Sequence, residues 1–458
     1  MAVKRDVQLK LPKAKAGTYP TSVEEFSHFI DKEHDAGLMA RRRFEFSWLL
    51  NLAYFRGYQN LLFDPASGVF QIIRDGYQPY TTNRIASFIE SRHAKLTKNR
   101  PAHRVVPNST DHEDKVAARF ADHSLKYLWR KLQMESIYDR TFIQMLIMGT
   151  SFIKTVWDPY AGESIKRDKF EATQTNVMEF TEEGPSMEEV WLGEVSSQNL
   201  SPFAIIPSND SIPDLYNQPW IIERTFAPMT YVETLYPHLQ GKIKPDKDSV
   251  LTEYEKLLRR IAAPQTSVFS HLQTNLEKGS QEILIKTFYL APNYQYENGL
   301  IFVLVNKEPA LVMEFPDDYG DNIYPISKFN EKEDSFTFWP QSTIERLIPI
   351  QKAFNLLRQK KIKNFSLMAA GKWLVPKGGG LFTDPSDEEG EILEYNPAFP
   401  RPEQARLASL PNFVETLNQD LITDFTDVGG QRTTSFAPGP SLTAGVAMQV
   451  QAELTDEI

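Results

Sequence analysis

Cysteine is absent from the 458 residues. That one absence excludes disulfide scaffolds, thiolate zinc sites, iron–sulfur clusters and cysteine nucleophiles. It suits a chain that folds in a reducing cytoplasm. No apolar run approaches the roughly 18 residues of a membrane-spanning helix, so no membrane partner is expected. The first residues, Met1-Ala-Val-Lys-Arg-Asp6, lack the apolar core of a secretory signal. There is no P-loop, no G-x-G-x-x-G and no H-E-x-x-H. Gly378-Gly-Gly380 is followed by an acidic turn, not by a helix, so it reads as a turn and not as a phosphate cradle. Histidine is scarce, with eight residues, all at or before His271. His28 and His34 are six apart, His103 and His112 nine apart, and neither spacing puts two imidazoles on one helix face. The histidines are read as ordinary surface or helix-end residues. The acidic runs miss the calcium-loop pattern and are read as solvated loops. No Ser–His–Asp order stands out. No catalytic residue, metal ligand or cofactor is therefore assigned, and the chain is expected not to be an enzyme.

What is present argues for a large, mixed structure. The length exceeds one typical domain, and 41% apolar with 12% aromatic residues fills a real core. Sixty acids against 50 bases leave a net charge of −10. An acidic chain is a poor static binder of DNA, because phosphate affinity comes from Lys and Arg. Thirty prolines outnumber 22 glycines, which points to many stiff connections.

Residues 1–20 read as an extended basic arm. Phe44, Trp48, Leu49, Leu52 and Phe55 recur at helical spacing and predict a helix over 22–57, stopped by Gly57. A second helix is expected over 83–99. The longest helical stretch, 110–148, opens on the capping-box pattern Thr110-Asp-His-Glu113, breaks near Gln133–Glu135 and ends at Gly149. A strand over 151–157 follows. Further strands are expected at 204–207, 220–226, 283–289 and 300–305, interrupted by acidic stretches such as Glu179–Glu194. Helices come first and strands later, an α+β pattern.

The last third is the most informative. Ser342-Thr-Ile-Glu345 has capping-box form and opens a helix to about Leu367. Pro349 inside it predicts a kink or a later start. A small β unit follows, with Lys372–Lys377 and Glu391–Tyr395 as its strands and a proline-rich stretch to Pro402. A helix is expected over 409–428, with Phe413, Leu417, Leu421 and Phe425 spaced four apart and Gly429-Gly430 closing it. The two helices are expected to pair antiparallel with the β unit at their tip. Gln431–Ser441 is a loop by composition.

Between Ser342 and Lys377 stand eight bases: Arg346, Lys352, Arg358, Lys360, Lys361, Lys363, Lys372 and Lys377. Glu345 is the one acid. Leu381–Glu394 then carries six acids. The bases are spread around the helix. They either contact nucleic acid through its backbone, since aromatic interleaving is absent, or pair with acids of adjacent subunits and otherwise solvate.

Four passages taken in order give the chain a resemblance to portal proteins of tailed bacteriophages, the head-to-tail connectors. The first is Phe55-Arg-Gly-Tyr-Gln59. The second runs from Asn83-Arg-Ile through Lys98-Asn-Arg-Pro-Ala102 and Val105-Val-Pro107 to Met148-Gly-Thr-Ser-Phe-Ile-Lys154. The third joins Tyr324-Pro-Ile326 to Ser342–Gln351 with Asn355, then Lys372-Trp-Leu-Val-Pro-Lys-Gly378. The last, Ser441-Leu-Thr-Ala-Gly-Val-Ala447, is similar to the family's Ser-Gly-x-Ala segment with a loosely replaced start. The similarity covers nearly the whole chain.

The resemblance implies a portal-type α+β protomer in a ring of twelve at one capsid vertex of the virion, assembled in the host cytoplasm. Residues 1–341 would form a mixed α/β wing, 342–367 and 409–428 the two stem helices, 368–408 the clip and 429–443 the tunnel loop. Residues 444–458 would start a further helix, the usual crown being absent or truncated. The implied function is a channel through which viral double-stranded DNA is packaged and ejected. Terminase, head–tail adaptor or tail proteins, and capsid and scaffolding proteins are its implied partners. The implied clip contacts are Trp373, Leu374, Val375, Lys377, Glu391 and Tyr395. Gln431, Arg432, Thr433, Thr434, Ser435 and Phe436 would form the tunnel-loop tip, and Arg358, Lys361, Lys363 and Arg432 are candidates to face DNA. A net −10 per copy, about −120 around twelve copies, would repel phosphate along much of such a wall and keep friction low. Two other readings compete. One is a nucleic-acid enzyme holding metal among the acids of 384–394, and the other is a tail or baseplate protein with no channel.

Overall fold

The computed structural model describes residues 9–13, 15, 17–64, 69–72, 80–98, 104–158, 162, 164–168, 187–191, 193–243, 258, 282–315, 324–369, 372–374, 398, 403–405 and 413–430. In chain order the elements are helix α1 (Val23–Phe55), strands β1 (Leu61–Asp64) and β2 (Val69–Ile72), and helices α2 (Arg84–Lys98), α3 (His112–Lys131) and α4 (Met134–Met148). Strands β3 (Thr150–Asp158), β4 (Ser164–Asp168), β5 (Met187–Trp191), β6 (Glu194–Leu200), β7 (Ile205–Pro207) and β8 (Trp220–Pro228) follow. After helix α5 (Met229–Leu235) come β9 (Glu282–Leu290), β10 (Leu300–Val305), β11 (Glu308–Met313) and β12 (Ile326–Asn330). Helix α6 (Thr343–Ala369), strands β13 (Lys372–Leu374) and β14 (Glu403–Ala405) and helix α7 (Phe413–Val428) close the described chain. The fold is mixed α+β, and the strand pairings from β3 onward are antiparallel.

The chain divides into two compact units, 1–56 with 65–69 and 87–345, and 57–64 with 70–86 and 346–458. The first is built on a five-stranded sheet in the order β11-β10-β9-β8-β7. Its side chains alternate between two cores. Ile222, Phe288, Leu290, Phe302 and Leu304 meet Phe26 and Ile30 of α1 on one face. Ile283, Ile285, Val303 and Val305 meet Val232 of α5 with Leu239 and Ile243 on the other. Both faces are covered, and so Leu300–Val305 reads as an unbroken apolar run, buried throughout. A second sheet, β12-β3-β6, is packed by α4. Asn199 ties the two together, donating from Nδ2 to Thr141 Oγ1 at 2.9 Å and to Ser151 Oγ at 3.1 Å.

The helices form for readable reasons. Ser22 caps α1, its Oγ accepting from the Glu25 N–H at 3.2 Å. Gly149 ends α4 with φ +87°, and a Cβ there would lie 2.3 Å from the Pro340 carbonyl oxygen. The break expected near 133–135 is the step between α3 and α4, with Gln133 at φ 50°. Two expectations need correction. α3 begins at His112 with Asp111 as its N-cap and no side-chain capping bond, one residue later than a box on Thr110 and Glu113 requires, so the Thr110 capping box does not form. His34 is not a surface or helix-end residue. It lies mid-α1 in line with Phe26 and Ile30, eight and four residues back on the buried stripe, and is 4% exposed.

α6 starts at Thr343, so Pro349 does not delay it, and the helix runs on through that proline. Its start is held within the first unit. Ser342 Oγ accepts from the Ile344 N–H at 3.1 Å and donates to the Leu146 carbonyl at 2.7 Å, while Glu331 accepts the Thr343 N–H at 2.9 Å. Glu345 accepts from Asn51 Nδ2 at 3.4 Å.

Candidate functional site

The second unit contains most of α6, the β13–β14 pair and α7. α6 is also the basic helix, which makes this unit the candidate site. β13 pairs antiparallel with β14, Trp373 opposite Gln404 and Leu374 opposite Glu403. The partner strand expected at Glu391–Tyr395 lies outside the described residues. So do Val375, Lys377, Glu391, Tyr395, the acids of 384–394, and the loop residues Gln431, Arg432, Thr433, Thr434, Ser435 and Phe436.

The bases of α6 fall into different environments. Lys361 Nζ donates to Glu415 Oε2 of α7 at 2.6 Å. That bond holds the exposed Glu415 carboxyl below its ordinary pKa. Arg358 is half-buried with its guanidinium carbon 5.0 Å from the Phe354 ring centroid. Arg84 comes to 4.4 Å of the same ring. Burial, and then the charge of Arg358, lower the Arg84 pKa. Two guanidiniums on one ring form a concentration of positive charge that an anion would relieve. Lys352, Lys360 and Lys363 are exposed.

Four amides taken from separate passages of the sequence meet beside this helix. Gln351, fully buried, donates from Nε2 to the Thr82 carbonyl at 2.7 Å and to Asn355 Oδ1 at 2.9 Å. Its Oε1 accepts the Arg84 N–H at 3.2 Å. Asn355 Nδ2 donates to Gln59 Oε1, and Gln59 Nε2 donates to Asn83 Oδ1 at 3.2 Å. Asn83 also caps α2, accepting the Ala86 N–H at 3.1 Å. The clasp pins residues 82–84 onto α6. Sequence reasoning picked out Gln59, Asn83, Gln351 and Asn355 as motif residues and gave none of them a role. Arg84, inside the same motif as Asn83, was likewise given no role. The signal was there in three Asn or Gln residues standing at apolar positions of helix starts and stripes.

A shallow cleft of about 140 Å³ opens next to the clasp, bordered by Asn60, Tyr80, Thr81, Lys352, Leu356 and Gln359. It offers amides, hydroxyls and one ammonium, with no carboxylate or imidazole in its lining. Such a lining binds by hydrogen bonds and supplies no acid–base pair.

No protein-family model matches the chain, and no curated protein matches it in sequence.

Proposed function

We propose that the chain is the subunit of a portal-type ring: a channel for viral double-stranded DNA to which a packaging motor and tail adaptors dock. The observation that carries the reading is the second unit itself. Two long helices flank a short strand pair, in the order that the resemblance implies. Both helices leave large apolar side chains in water, Leu356 and Phe365 on α6 and Phe413 and Leu417 on α7, at 53%, 73%, 66% and 44% exposure. Phe413 and Leu417 stand on neighbouring turns of one face of α7, and exposed side chains of that size belong in an interface. The basic excess of α6 in an otherwise acidic chain suits a wall that guides phosphate without holding it.

The test is the mass of the purified protein together with electron microscopy. The reading expects a large closed ring with a central passage wide enough for a duplex. A chain that stays single at high concentration overturns it, as does magnesium-dependent cleavage of DNA, which would favour a nucleic-acid enzyme. A solid assembly with no passage would favour the tail or baseplate reading.

A further inference from the structure

α6 and α7 each have two distinct faces. At about 100° per residue, Glu415, Asn418 and Phe425 of α7 share one side. Asn418 and Phe425 are buried, and Glu415 meets Lys361 of α6. On the far side of α7, Phe413, Leu417, Asp420, Asp424, Asp427 and Val428 fall within about 100° of arc, and all six are exposed. The same division holds on α6. Lys361 points to α7, while Lys352, Leu356, Lys360 and Lys363 fall on another side within about 80° of arc, again all exposed. Lys360, Lys363, Asp420, Asp424 and Asp427 make no ion pair among the described residues.

We infer that these outer faces are the two halves of one interface: the acidic face of α7 in one copy seats on the basic face of α6 in the next. The occupant of each is a second copy of this chain, and charge complementarity identifies it. Three carboxylates face the ammoniums of Lys360 and Lys363, and apolar side chains sit within both stripes. The stripes match in length, about 17 Å from Lys352 to Lys363 and about 22 Å from Phe413 to Val428. Neither face can pair with its own copy across a two-fold axis, because like charges would meet. A two-fold dimer that seats each α7 on the other copy's α6 would match the charges as well, and it is the ring reading that selects the head-to-tail repeat, the kind that closes into rings. This inference rests on the ring reading and assigns these lysines to the neighbour instead of to DNA.

The test uses two variants of the full chain, one with Asp420→Lys and Asp424→Lys, the other with Lys360→Glu and Lys363→Glu. Every substituted residue is exposed, and the circular dichroism spectrum of each variant is expected to match that of the wild type. Mass photometry reads assembly. Each variant alone is expected to lose at least tenfold in assembled fraction. An equal mixture is expected to recover it, since alternating copies restore opposite charges at every contact. Wild-type assembly should also weaken as salt rises. If both variants assemble alone like the wild type, the pairing is overturned and the ring reading stands. If the lysine variant assembles normally but binds duplex DNA at least tenfold more weakly, the basic face is a DNA contact and the pairing is likewise overturned. If the wild type never assembles, the ring reading falls and the pairing with it.

Discussion

Lowering the pH from 7 to 5 should destabilise the first unit by about 2 kcal/mol through His34 alone. The imidazole is 4% exposed in the middle of α1. Its Nδ1 lies 3.0 Å from Asp35 Oδ1, and its buried Nε2 has no partner among the described residues. Burial, then the charges of Lys286, Arg224 and Arg41, push its pKa down to about 2. A base whose pKa is depressed on folding contributes stability that is full above its unfolded value, near 6.5, and is lost as pH falls toward the folded value. Between pH 7 and 5 the unfolded chain takes up the proton and the folded one does not. The slope approaches about 1.4 kcal/mol per pH unit. The loss at pH 5 depends almost wholly on the unfolded value, since the folded one lies far below that pH. Urea unfolding followed by tryptophan fluorescence at both pH values measures it, with His34→Gln as the comparison. The variant should lose about 2 kcal/mol less than the wild type across that interval. Equal losses would refute the argument, as would a His34 C2–H exchange profile titrating near 6.5.

Three other outcomes follow from the same structure. Gln351→Leu should cost about 2–3 kcal/mol in urea unfolding, because the Thr82 carbonyl and the Arg84 N–H lose their partner together. An unchanged midpoint would mean that the clasp contributes nothing. Gly149→Ala should cost about 3 kcal/mol or more, since φ is +87° and the new methyl meets the Pro340 carbonyl; a melting temperature within a degree of wild type would contradict it. Lys328 donates to the Pro213 and Phe338 carbonyls at 2.9 and 2.6 Å, over the Phe338 ring. Burial lowers its pKa to about 8. Its depressed value means that wild-type stability should rise relative to Lys328→Met as pH climbs from 8 to 10.5, and parallel pH profiles would exclude the shift.

Much of the fold was legible because its elements announce themselves locally. α1, α2, α4 and the strands from β8 to β10 lie within a few residues of their expected bounds, each marked by a cap, a glycine stop or an apolar period. The misses have physical causes. Glu403-Gln-Ala405 has no strand propensity of its own. It is a strand because Lys372–Leu374 pairs with it across some thirty residues, a contact that no local window contains. The Thr110 box fails because the helix starts one residue later, with Asp111 and not Thr110 at the N-cap, which takes Glu113 out of the position the box needs. His34 was misplaced because its burial follows from α1 packing on a sheet whose strands come about 170 to 280 residues later in the chain.

The α7 stripe shows why the site was only half legible. Residues spaced four apart advance about 400° on a helix and drift about 40° at each step. Phe413, Leu417, Leu421 and Phe425 therefore do not stay on one face. The stripe begins exposed at Phe413 and Leu417 and ends buried at Phe425, passing from the outer side of the helix to the side that holds Glu415. Read as one apolar seam, it suggested a single helix partner. Read with the drift, it separates two surfaces. The inner one is used by the chain itself, and the outer one carries its three aspartates into solvent. The same reasoning applies to α6, where a basic excess spread around the helix hid the fact that Lys361 and Arg358 are already engaged by Glu415 and Phe354. What a count of bases could not give was which of them remain free. That depends on where the neighbouring helix lies, and the placement of α7 leaves Lys360 and Lys363 exposed and without an ion pair among the described residues.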